Sequence, residues 1–197
     1  LVGLLGVENP LAEKCEALER IAAMETDPEA RRVALGEVAR IAQEDFGDAD
    51  RSARAWQSRL ADDPADLEAI DGIRPVLRGQ GRLRDLASAL ERAASALVST
   101  TDSEVVASRR SGAPLRDLLF EAATIAEEEL HDATSAMRCF EELLTHAPSD
   151  APVMERLAAL YRQAERRSEL LALRERQLAL ASDATERVRL RLDIADV

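Results

Sequence analysis

ATIAEEELHDATSAMRCFEELLTHAPSD, Ala123 to Asp150, is the stretch that decides the reading of the chain. It reads as one helix, a short polar turn at His131-Asp132, a second helix and a stop. In the second helix Ala136, Phe140, Leu143, Leu144 and Ala147 fall at i, i+4, i+7, i+8 and i+11, one buried stripe at helical period. Pro148 ends the run, because it cannot donate to the preceding turn and biases its predecessor away from helix.

Self-comparison extends this pattern along the chain. Displaced by 84 residues, Arg31–Leu97 lies on Leu115–Ala181 without a gap, with 18 identities in 67 positions. About a tenth would be expected for so biased a composition. Ile41-Ala42 falls on Ile125-Ala126, Asp48-Ala49 on Asp132-Ala133, Trp56 on Phe140, Leu60 on Leu144 and Pro64 on Pro148. A displacement of 156 continues the match at both ends, laying Arg31 on Arg187 and Val38-Ala39 on Ile194-Ala195. The spacing from Leu115 to Arg187 is 72, so 12 extra residues enter near Ser99–Ala113, a polar stretch expected to be a surface loop or a prolonged helix.

The same period predicts helices over Pro10–Met24, Pro28–Phe46, Ala49–Ala61, Ala65–Gly79, Leu83–Val98, Pro114–Leu130, Ala133–His146, Ala151–Ala164, Ser168–Ala181 and from Ala184 onward. Short links carrying Gly, Asp and Pro make consecutive helices antiparallel neighbours. Gly72 and Pro75 predict a kink or an early break in the fourth helix. No period-2 alternation occurs, so no strand is expected.

Composition agrees. Aromatic residues are 3% of the chain while Ala, Leu, Glu and Arg dominate, as in an all-α protein. The formal charge of −12 argues against nucleic-acid binding and weakens any docking on an anionic membrane. No apolar run approaches the ~20 residues that span a bilayer, so no membrane insertion is expected. Cys15 and Cys139 each sit on an apolar stripe and read as free core thiols, which leans towards a reducing, cytoplasmic setting.

These residues resemble the tetratricopeptide repeat family, helix pairs of about 34 residues. Ala136, Phe140 and Pro148 match the second-helix half of its signature. Met154, Leu157-Ala158 and Tyr161 match the first-helix half of the next repeat, and Ser52, Trp56 and Pro64 give a weaker copy. Arg40 and Arg74 stand where the family prefers Gly, and Arg174 stands at an aromatic position. The resemblance implies an α-α superhelix (solenoid) of antiparallel helix pairs, cut from one array. Residues 1–25 would end one block, 26–98 form the next, 99–113 an insertion, 114–181 another block, and 182–197 the start of a further one.

Chemistry is sparse. His146 is placed to cap a helix C-terminus. Cys139 and His146 lie two turns apart, too far for a nucleophile and its base. Consecutive acids such as Glu127 to Glu129 point in different directions on a helix. The chain therefore reads as non-enzymatic, with no cofactor and no metal. The resemblance implies a concave groove lined by first helices, where Glu37, Glu44, Arg74, Arg78, Glu121, Glu128, Arg156 and Arg162 would read a protein or peptide partner by charge. A second reading is a structural spacer or self-assembly segment, stacking copies through the apolar ends Leu1–Val7 and Val188–Val197.

Overall fold

Aspartate starts most of these helices. In the computed structural model, which describes residues 10–99 and 113–197, the carboxylates of Asp27, Asp48, Asp66, Asp132, Asp150 and Asp183 each accept the backbone N–H three residues on. Each bond satisfies an amide that the first turn leaves unpaired, and each such cap contributes ~1 kcal/mol. The elements are α1 (Pro10–Met24), α2 (Pro28–Glu44), α3 (Ala49–Asp62), α4 (Leu67–Gly79) and α5 (Leu83–Ser99), then α6 (Ala113–Thr124) continuing into a π-helical turn (Ile125–Glu129), α7 (Ala133–His146), α8 (Ala151–Gln163), α9 (Arg167–Leu180) and α10 (Ala184–Ala195). No strand occurs among the described residues, none of whose helices is long and apolar enough to cross a membrane.

The chain divides into two compact units, Leu1–Ala96 and Leu97–Val197. In the first, α1 packs on α2, α2 on α3 and α3 on α4. Its core joins Val38, Ala39 and Ile41 of α2 to Trp56 and Leu60 of α3 and to Ile70, Ile73 and Leu77 of α4. In the second, α6 packs on α7, α7 on α8, α8 on α9 and α9 on α10. There Phe140 and Leu143 of α7 meet the same water-free condition as Leu119 of α6 and Leu157 of α8. Each such side chain contributes about 1.5–3 kcal/mol by leaving water. Cys15 and Cys139 are buried, unbridged thiols.

Of the kink or early break expected in the fourth helix, the break does not occur. α4 runs unbroken through Gly72 and Pro75 from Leu67 to Gly79. The apolar face Ala69, Ile70, Ile73, Val76 and Leu77 is buried and holds the helix together. Pro75 and Asp71 lie on the exposed side, so the carbonyl that proline leaves without a donor faces water. Two boundaries also shift by two residues, and several others by one: α2 stops at Glu44, and α4 starts at Leu67 because Asp66 is its cap. Of the expected insertion Ser99–Ala113, residues 100–112 lie outside the described residues, as does Leu1–Val7 at the amino end.

The duplication reaches the turns. Gly47 and Gly81 adopt left-handed backbone, φ 62° and 67°. Their equivalents 84 residues on, His131 and Glu165, take the same conformation at φ 52° and 54°. The bonds closing each turn repeat too: Asp48 N–H to Ala42 C=O (2.7 Å) matches Asp132 to Ala126 (2.8 Å), and Arg82 to Leu77 matches Arg166 to Tyr161, both 2.9 Å. An L-residue pays ~1–2 kcal/mol for this conformation, while glycine pays ~0.5–1 kcal/mol more chain entropy on folding. Glu165→Gly is therefore expected to stabilise the protein by about 0.5–1 kcal/mol, raising its urea midpoint. His131→Gly should gain less, since His tolerates this region better than Glu.

Candidate functional site

The first helices of neighbouring pairs are laced by arginine. In the first unit Arg32 of α2 reaches forward to Asp66 (3.1 Å) and Glu68 (3.2 Å), and Arg40 reaches Glu68 (3.2 Å). Arg59 of α3 bonds Asp66 at 2.6 Å and Glu68 at 2.9 Å, and its guanidinium lies 5.2 Å from the Trp56 ring centre. Arg59 and Asp66 are almost fully buried, with side chains 2% and 3% exposed. In the second unit Arg116 of α6 bonds Asp150 at 2.6 Å. Arg32–Asp66 and Arg116–Asp150 are thus one interaction made twice, each spanning 34 residues and each ending on the cap of the next first helix.

The two units cover their central aromatic from different positions. In the first, Arg59 lies over Trp56, and Gly36 leaves room for it: a Cβ there would stand 2.5 Å from Arg59 Nη1. In the second, the equivalents are Leu143 and Phe120, and the covering guanidinium comes from Arg156 of α8, 5.4 Å and 5.3 Å from the ring centres of Phe120 and Phe140. The equivalent of Arg156 is Gly72, where a Cβ would meet Trp56 at 2.4 Å. Small and large residues have exchanged places between the units while the arginine-on-aromatic contact is retained.

Of the eight residues expected to line a groove, the structure joins Glu128 and Arg156 directly, at 2.7 Å. Arg156 also bonds Glu127, whose neighbourhood is shaped by the π-helical turn. Glu37 is held by Lys14 (2.7 Å) and Arg40 (3.4 Å), and Arg74 by Asp71 (2.7 Å). Glu121 is half-buried, while Glu44, Arg78 and Arg162 are exposed. Arg162 borders an open depression of about 380 Å³ that is also lined by Tyr161, Glu165, Arg167 and Asp193. The Tyr161 hydroxyl donates to Glu141 at 2.8 Å, and burial together with that carboxylate pushes its pKa well up.

Two contributors were not anticipated. Arg59 lies on the stripe position of Leu143, and the 84-residue register carries that signal. Arg174 is the other buried cation among the described residues, bonded to Glu155 (2.8 Å) and Gln177 (2.7 Å), and its burial follows from its place on the α9 stripe between Leu170 and Gln177. No group of His, Cys, Asp or Glu among the described residues is arranged to hold a metal ion.

Acid should weaken the first unit. Burial alone would raise the Asp66 pKa, but the Arg59 hydrogen bond, the Ala69 N–H and the Arg59 and Arg32 charges bring it below the usual carboxylate value. The Arg59 hydrogen bond likewise lowers Glu68. Groups with lowered folded pKa stabilise fully above their unfolded values, about 3.9 and 4.3, and lose that contribution as pH falls through the folded ones. Urea midpoints followed by Trp56 fluorescence should therefore drop steeply below about pH 4. The drop should be shallower in Arg59→Leu, which lacks the principal partner.

Solved structures similar to the chain include a putative kinesin light chain with nearly identical TPR-like repeats from Podosopora anserina, 16% identical over 86% of both chains with a TM-score of 0.46. The MamA protein is 12% identical over 85% of this chain and 92% of that one, at 0.42. A thermophilic TPR protein of Thermus thermophilus is 24% identical over 92% of this chain and 89% of that one, at 0.35. No family model matches the chain, and neither does any curated protein. Each unit is a run of paired helices, similar to tetratricopeptide repeats. Ala136, Phe140, Leu157, Ala158 and Tyr161, the positions of that resemblance, are all buried where one helix meets the next.

Proposed function

We propose that the chain is a non-enzymatic protein-interaction scaffold that takes a peptide or helical segment on the charged faces of its first helices. The observation that carries this is the division of labour among those charges. Glu37, Arg74, Glu128 and Arg156 are engaged in intrachain ion pairs. The Lys14–Glu37 and Arg156–Glu128 pairs join neighbouring helices, and on that framework Glu44 and Arg162 stand exposed; Arg78 is exposed as well. Exposed charges held at fixed spacing give a partner selectivity and faster encounter at little ordering cost.

The test is a photo-activated cross-linker placed in turn at Arg78 and Arg162 of the parent protein in its own cells, with Arg54 and Arg92 as controls. A protein partner joined from the first pair and missing from the controls is expected, with the adduct at each position weakened by charge reversal at the other (Arg162→Glu or Arg78→Glu). An identical cross-linking pattern at all four positions contradicts the reading. A second reading, a spacer or self-assembly segment, is favoured by exposed apolar side chains on α1 and α10, among them Ile21, Met24, Val188 and Leu192.

A further inference from the structure

The two units are not equally filled. Between α3, α4 and α5 lies an open cavity of about 300 Å³, and every residue lining it belongs to the first unit. Its floor is apolar, made by the buried side chains of Leu60, Ile73, Leu77 and Ala89. The half-buried Gln57 and the exposed Arg92 border it. Arg82 and Asp85, paired with each other at 2.7 Å, complete one wall.

In the second unit the same ground is occupied. At the displacement of 84, Leu77 corresponds to Tyr161 and Gln57 to Glu141. The Tyr161 ring is buried, and its hydroxyl donates from α8 to Glu141 of α7 at 2.8 Å. The charges acting on that hydroxyl include Glu169 and Arg166, the equivalents of Asp85 and Arg82. Four residues of the cavity are thus the equivalents of Tyr161 and of the groups about its hydroxyl. Leu173, also buried, stands where the cavity has Ala89. Arg176 spans from α9 to the Leu144 C=O of α7 at 3.2 Å, whereas its equivalent Arg92 donates to Ser88 of its own helix. Leucine in place of tyrosine and alanine in place of leucine leave the first unit without a ring at this position.

We propose that this cavity is a binding site for a small single-ring phenol, which takes the place that the Tyr161 side chain fills in the second unit. An apolar cavity of about 150 Å³ accommodates benzene, so one phenol ring fits here. An apolar lining with a few placed polar groups is the usual make-up of a small-molecule site. The buried floor takes the ring. Gln57 offers a side-chain carbonyl where Glu141 offers a carboxylate, so the hydroxyl meets an acceptor at the position the other unit uses. Arg92 supplies a cation at the border, and a guanidinium over a ring is a contact this chain already makes at Trp56, Phe120 and Phe140. None of the cavity residues belongs to the charged set proposed to meet a protein partner, so the site stands or falls apart from that reading.

Nuclear magnetic resonance of the methyl-labelled protein titrated with 4-methylphenol tests it. Saturable shifts are expected at Leu60, Ile73 and Leu77, with a dissociation constant on the order of 1 mM for so small a ligand. Filling the cavity as the second unit does, by Leu77→Tyr or separately by Ala89→Leu, should weaken binding at least about tenfold. Circular dichroism checks that each variant folds, and Ala89→Leu decides the matter if Leu77→Tyr does not. Gln57→Leu, which removes the acceptor, should weaken binding about fivefold, the worth of one hydrogen bond. Conversely, Tyr161→Leu should open a second site, read as new shifts at Leu144 and Leu157. A titration without saturable shifts at the cavity methyls, or one unchanged in the folded filled variants, overturns the proposal. N-acetyltyrosinamide binding as tightly as 4-methylphenol would overturn it too, assigning the cavity to a tyrosine carried by a protein.

Discussion

Replacing Arg59 by alanine is expected to lower the unfolding free energy by about 3–5 kcal/mol, the range for breaking a buried ion pair from one side. The guanidinium is 2% exposed and bonds Asp66 and Glu68 while covering Trp56. Its removal leaves the Asp66 carboxylate, 3% exposed, with Arg32 at 3.1 Å as its remaining side-chain cation. Because Arg32 stays, the loss should fall towards the lower end of that range. Asp66 also caps α4 through Ala69, so the damage should extend to the start of that helix. Urea unfolding followed by Trp56, the chain's one tryptophan, measures it. Transplanting the second unit's arrangement, with Arg59→Leu, Gly36→Phe, Gly72→Arg and Trp56→Phe together, should recover much of the loss when unfolding is followed by circular dichroism. An Arg59→Ala cost under about 1 kcal/mol would place this pair with ordinary surface ion pairs.

Gly72→Ala is expected to be the second large loss, about 1–2 kcal/mol net. Helix propensity favours alanine by ~1 kcal/mol at an interior position. Against it, the new Cβ would stand 2.4 Å from Cε2 and Cζ2 of Trp56 and 2.9 Å from Cδ2. Those atoms belong to a rigid ring that is 4% exposed, and overpacking of this kind costs about 1–3 kcal/mol or more. The steric effect should win, with a shift in Trp56 emission as its signature. In a Trp56→Phe background, which lacks the outer ring, the same change should become neutral or mildly stabilising. A stabilised Gly72→Ala in the parent would mean that the ring can move aside at little cost.

Most of the fold was legible in the sequence because its signals are local. Asp48, Asp132 and Asp150 cap helices at the links the sequence marks, and the Phe140 stripe is buried as its spacing requires. Of the kink or early break expected in α4, the break does not occur because a buried face outweighs proline, and the π-helical turn at Ile125–Glu129 has no composition signature. The candidate site was less legible, since charge sign and helix face do not say which acid an arginine will meet. Arg156 meets Glu127 and Glu128 across neighbouring helices, and Glu37 is taken by Lys14 from α1. The exchange of Gly36 and Arg59 for Phe120 and Leu143 was visible as mismatches in the 84-residue register. Only packing shows that those mismatches compensate.

One plan of paired helices used twice, in register at 84 residues, underlies every functional statement above. Amide hydrogen exchange resolved residue by residue tests it most directly. Protection is expected in blocks that coincide with the helices and lapse together at Gly47 and His131, and at Gly81 and Glu165. Protected amides that run through one member of either pair while lapsing at the other, or blocks out of that register, would contradict it.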